Sequence, residues 1–228
     1  MITSRHPPQL VPAYFHPAVR PQDWAALAEQ AHRITLVVLN VATGPGQHRD
    51  PGFDAALERL RRAGIPIAGY IDTDYAARPA QQVHTDLARY RDWYAPDGVF
   101  FDRAASDASR LGHYATLADA ARALGMSPVV FNHGTHPVPA YRDHADLLGT
   151  FEGPWNAYVE LAIPRWARDE DGTHVAHLVH SVPPGLIDTA LDLAAQRRVH
   201  SAYVTHHGGP NPWRRLCTRR HPPSLRAI

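Results

Sequence analysis

Eight short apolar runs, separated by segments with helical spacing, constrain this chain more than any other feature. The runs cover 10–15, 34–40, 66–71, 98–102, 127–132, 146–151, 175–180 and 200–205. Between them, 21–31, 51–62, 79–93, 109–124 and 184–197 read as helices, with shorter helical pieces at 139–144 and 155–161 and a polar loop at 165–172. Apolar runs this short, bounded by helical segments, read as parallel strands buried on both faces. Pro21 suits the first turn of a helix, and Gly64 and Gly125 suit the residue just past the last turn. Eight strands and seven connections predict an α/β fold: a single (β/α)8 TIM-type barrel over residues 1–216, some of its helices short, with a C-terminal tail at 217–228. A doubly wound open sheet is the runner-up.

Composition removes several function classes. A chain of 228 residues suits one α/β barrel. Its 23 Arg and Lys against 22 Asp and Glu leave no charge bias toward nucleic acid or a membrane surface. No apolar run approaches the ~20 residues of a membrane span. Residues 1–8 lack the apolar core of a signal peptide, so the default expectation is cytoplasmic. Cys217 is the only cysteine, which excludes an intramolecular disulfide and a cysteine-based metal cluster. Phosphate-loop and dinucleotide fingerprints are absent, and no cofactor is expected. Sixteen histidines raise a metal reading through His133, His136 or His206, but helical ligand spacing is missing and no metal is expected. The oligomeric state stays open.

In α/β barrels the carboxyl ends of the strands carry the chemistry. Here that rim carries Tyr14, His16, Asn40, Asp72, Asp74, Asp102, Arg103, Asn132, His133, Glu152, His180, His206 and His207. Asp102 and Glu152 are the sharpest of these. Each directly follows buried apolar residues, on strands two apart. Glycoside cleavage needs two carboxyl groups facing each other across a sugar, so both are candidate catalytic residues. The opposing reading makes one of them a salt-bridged rim residue. Asp72 and Asp74 bracket Thr73 and point the same way in an extended chain; they can bind sugar hydroxyls or hold the loop. Tyr14, Tyr70, Tyr75 and Trp155 offer faces to sugar rings, or to the core. The expected substrate-binding set is Tyr14, His16, Asp72, Asp74, Tyr75, Asn132 and Trp155, and the expected partner is a polysaccharide or oligosaccharide.

Six blocks carry a family resemblance: Val11–Pro17, Gly69–Pro79, Arg89–Asp102, Asn132–Pro137, Asp146–Trp155 and Gly209–Trp213. In their order and spacing the chain resembles the spherulation-specific family 4 (spherulin-4-like) proteins, which are related to glycoside hydrolases acting on α-1,4-galactosaminogalactan. The resemblance implies a (β/α)8 barrel and endo-acting hydrolysis of a galactosamine-containing polysaccharide. It also implies that Asp102 matches the first member of an adjacent Asp-Glu pair and that Glu152 matches a later Glu. Family members are often secreted. Arg103 departs from the pattern, standing where the second member of the pair is Glu. A guanidinium cannot exchange a proton near neutral pH. A non-catalytic carbohydrate-binding barrel, with Arg103 neutralising Asp102, is therefore the alternative; a metal-dependent hydrolase is a more distant one.

Overall fold

The computed structural model describes residues 5–168 and 174–217. The expected tail therefore lies outside the described residues except for Cys217, as does the end of the polar loop predicted at 165–172. Eight strands form one parallel sheet in chain order: β1 Gln9–Ala13, β2 Ile34–Leu39, β3 Ile67–Asp72, β4 Gly98–Asp102, β5 Val129–Asn132, β6 Leu147–Pro154, β7 Val175–His180 and β8 Ser201–Val204. β8 returns to β1, and Ala202 N–H donates to the Pro8 carbonyl over 3.0 Å. The sheet thus curls into the expected barrel.

Helices α1 Pro21–Glu29, α2 Asp54–Arg62, α3 Ala80–Tyr94, α4 Leu111–Ala123, α5 Trp155–Glu160, α6 Arg165–Arg168 and α7 Ile187–Gln196 connect the strands. α2 shows why its sequence is helical. Ala56, Leu57 and Leu60 fall on one buried face, and three arginines fill the last turn against the negative end of the helix dipole. Gly64, at φ +70°, ends it: Ile65 N–H bonds back to the Leu60 carbonyl and Gly64 N–H to that of Arg61. Gly125 ends α4 in the same way, with Met126 bonding to Ala121. Among the described residues, no helix is long and apolar enough to cross a membrane.

Two sequence expectations need correction. Residues 165–168 form a short helix rather than the start of a polar loop. β6 does not stop at Phe151 but runs on to Pro154, so Glu152 lies within the strand. A bulge between Gly149 and Phe151 allows this. Gly149 pairs with Asn132 of β5 and with Ala176 of β7 and so faces the barrel interior. Thr150 and Phe151 then both face outward. Thr150 hydroxyl meets His177 Nε2 at 3.1 Å, and the Phe151 ring lies 4.9 Å from that of Tyr158 on α5. After two outward residues in succession, Glu152 turns inward, opposite Leu178.

Candidate active site

The inward residues at the ends of β3, β4, β5 and β6 form one hydrogen-bonded chain. Asp102 is the last residue of β4, and Asp72 is its register partner on β3. Two residues before Asp72, on the same face, Tyr70 donates its hydroxyl to Asp102 Oδ2 over 2.8 Å. Asn132, the last residue of β5, donates its amide nitrogen to Asp102 Oδ1 at 2.7 Å and to Glu152 Oε2 at 2.5 Å. Trp213, in the loop after β8, donates its indole N–H to Glu152 Oε1 over 3.0 Å. Tyr14 joins from the residue just past β1, its ring edge-on to Tyr70 at 5.2 Å.

Glycine makes the bridge possible. The Asn132 side-chain oxygen, Oδ1, points at Gly149, buried and without a hydrogen-bond partner. A Cβ at residue 149 would lie 2.2 Å from that oxygen. Any side chain there would push Asn132 away from both carboxyl groups.

Burial pushes the Glu152 carboxyl up to about 7, and the neighbouring Asp102 charge adds to the rise, against hydrogen bonds from Asn132 and Trp213 that oppose it. Burial also raises Asp102, but its opposing donors number three: Asn132, Tyr70 and the Arg103 backbone N–H. More donors favour the ionised form. Near neutral pH the proton that the pair retains therefore sits on Glu152, and Asp102 carries the charge.

Arg103 does not neutralise Asp102. Its Nε and Nη2 grip Asp72 at 2.8 and 2.5 Å, and its Nη1 reaches Asp74 at 2.9 Å. Burial pushes the Asp72 carboxyl up, yet the Arg103 bonds and the Asp74 backbone N–H hold it below its ordinary value. Asp72 and Asp74 are therefore an ion-paired edge of the site rather than two bare anions.

Of the residues expected from sequence, the structure brings Tyr14, Asp102, Asn132 and Glu152 together, with Asp72 and Asp74 alongside. Asn132 contacts the two carboxyls directly. Tyr75 stands outside this cluster, exposed, with the Arg103 guanidinium 5.7 Å from its ring centre. His16 is drawn elsewhere, to Asp50 at 3.0 Å and against Phe53. Trp155 opens α5 and packs against Tyr158. His133 is buried with Nδ1 on the Ala105 carbonyl, and burial lowers its pKa to about 4. His136 packs on Trp166, and His206 lies beside the Cys217 sulfur. Among the described residues, no group of three or more His, Cys, Asp or Glu side chains is placed to hold a metal ion. The expected set left Gly149 and Trp213 out of the site, and Tyr70, read as a face for a sugar ring or for the core, instead serves the site through its hydroxyl on Asp102. Gly149 carried a signal, because a glycine inside an apolar strand marks a close approach of another group. Trp213 carried one only through the family resemblance, as the last residue of the Gly209–Trp213 block.

The family description "Spherulation-specific family 4" matches residues 9–220 of this chain. Spherulin-4 of Physarum polycephalum is 29% identical over 154 residues, which cover 66% of this chain and 46% of that protein. The chain thus spans about half the length of this curated relative. Sph3 of Aspergillus clavatus, crystallised in complex with GalNAc, superposes with a TM-score of 0.80 over 94% of this chain and 95% of that one, at 23% identity. That superposition bears on the fold, which is the same.

Proposed function

This chain belongs to spherulation-specific family 4, and on that premise we propose that it is a glycoside hydrolase cleaving an α-1,4-linked polysaccharide of galactosamine or N-acetylgalactosamine. One observation carries the reading: the single Asn132 amide that holds Asp102 and Glu152 together. Its two bonds keep the nearest carboxyl oxygens within about 5 Å of each other. Retaining glycosidases hold their carboxyls roughly 5–5.5 Å apart and inverting ones roughly 6.5–9.5 Å, so the spacing favours retention. The crystallisation of Sph3 with GalNAc supports the sugar class.

The chemistry follows from where the proton sits. Glu152 gives its proton to the glycosidic oxygen as the bond from that oxygen to the anomeric carbon breaks. The Asp102 carboxylate bonds to that carbon, or stabilises its positive charge. Glu152, now ionised, takes a proton from water, whose oxygen attacks the anomeric carbon and releases Asp102. Neither step needs a second carboxylate at residue 103.

A non-catalytic carbohydrate-binding barrel is the second reading, favoured by Arg103 standing where the family pattern has Glu. It drew its force from an Arg103–Asp102 pair, whereas Arg103 instead grips Asp72 and Asp74. Incubation with α-1,4-galactosaminogalactan and its N-acetylated form, read by mass spectrometry for shorter oligomers, tests the choice. Shortening supports hydrolysis. Binding without shortening supports the second reading, and the absence of both refutes the sugar assignment.

A further inference from the structure

We propose that Tyr75, propped by Arg103, forms a stacking subsite for an uncharged sugar ring, away from the bond at Asp102 and Glu152. The inference rests on the glycoside reading above and adds a place for a further unit of the chain.

Tyr75 is 55% exposed, and among the described residues it is the aromatic side chain that stands out as exposed. Its backbone is held at a cost. Asp74, Tyr75 and Ala76 have φ of +46°, +54° and +68°, three non-glycine residues in succession in the left-handed region. Such residues are disfavoured by contact between Cβ and the backbone, and they persist only where surrounding bonds over-determine them. Here those bonds are explicit. Asp74 N–H donates to Asp72 Oδ1 at 2.9 Å, Tyr75 N–H to the Arg103 carbonyl at 2.7 Å, and Ala76 N–H to the Thr73 carbonyl at 3.0 Å. Arg103 is itself left-handed, at φ +50°.

The side chain of Arg103 completes the arrangement. Its three bonds to Asp72 and Asp74 fix the guanidinium, whose carbon lies 5.7 Å over the Tyr75 ring. One face of the ring is thereby backed by a cation, and the ring still stands exposed. The two carboxylates more than balance the cation, so what the ring presents is an aromatic surface with no free positive charge. The C–H face of a pyranose complements such a surface. Asp72, the anchor of this unit, is the register partner of Asp102, which places the subsite along the rim from the carboxyl pair. Tyr75 is the contact residue, and Arg103 is a positioning residue.

Calorimetry against N-acetylgalactosamine and its α-1,4 oligomers of increasing length tests this. Asp102→Asn serves as the background so that cleavage is slow on the timescale of the titration. Affinity should rise with length in that background. Adding Tyr75→Ala should remove roughly tenfold of the oligomer affinity and leave the monosaccharide unchanged, and Tyr75→Phe should restore it. Arg103→Ala should lose part of the same gain. A length dependence untouched by Tyr75→Ala overturns the subsite alone, as does equal weakening of monomer and oligomer. A parent protein that binds neither sugar overturns the glycoside reading and the subsite with it.

Discussion

Trp213 donates its indole N–H to Glu152 Oε1 over 3.0 Å, tying the loop after the last strand to a carboxyl on the sixth. This bond favours the ionised form of Glu152. Trp213→Phe keeps the ring and removes the donor. The Glu152 pKa should then rise by up to about one unit, moving the alkaline limb of kcat/KM upward. An unmoved limb in a pH–rate profile would show that the bond does not act on the proton in use.

Asp102→Asn and Glu152→Gln should each lower turnover by roughly a hundredfold or more while changing oligosaccharide affinity far less. Steady-state rates on a reducing-end assay, paired with calorimetry, separate the two effects. Unimpaired cleavage by Asp102→Asn would move the chemistry elsewhere on the rim.

Glu152 also links pH to folding. Its folded pKa of about 7 lies above the ordinary value of about 4.3 for an unfolded chain. Between those values the folded state keeps a proton that the unfolded chain has released. The contribution of Glu152 is thus complete below about pH 4 and is lost as pH rises through about 7. Asp102, raised as well, acts in the same direction. Thermal midpoints measured from pH 4 to 8 should decline, and Glu152→Gln should flatten that decline.

The spacing set by Asn132 predicts the stereochemical outcome. The first product released from an α-linked oligomer should carry the α configuration, visible by NMR before mutarotation. A β product would require a water between the two carboxyls and would refute the close pair.

Arg103→Glu should not create or raise activity, because residue 103 points toward Asp72 and Asp74 rather than across from Glu152. It would set three carboxylates together and lose about 1–2 kcal/mol, lowering Tm by roughly 3–6 °C for a chain of this size. Should activity rise with the substitution, Arg103 is the replacement of a lost catalytic group.

Much of the fold was legible because it rests on local signals. Apolar runs of strand length and glycines past helix ends are written in adjacent residues, as Gly64 and Ile65 illustrate. Asp102 was legible for the same reason, ending β4 in plain sight. What remained hidden depends on groups distant in sequence. Arg103 chooses Asp72, 31 residues earlier, over the adjacent Asp102. Asn132 read as a group for sugar hydroxyls, yet its buried amide is committed to two carboxyls. Nothing in Gly149-Thr150-Phe151 announces two outward residues in a row.

That irregular step in β6 separates the fold from its acid. In a regularly alternating strand the residue after Phe151 would face the helices, where a lone carboxyl would be buried in a greasy layer beside Tyr158 and His177. Gain of one codon between Phe151 and Glu152, with the bulge kept, would place Glu152 on that side. The barrel could still close, because the neighbouring strands pair through the backbone. One codon in the sixth strand is thus the genetic distance between this scaffold with a proton donor in its mouth and the same scaffold without one.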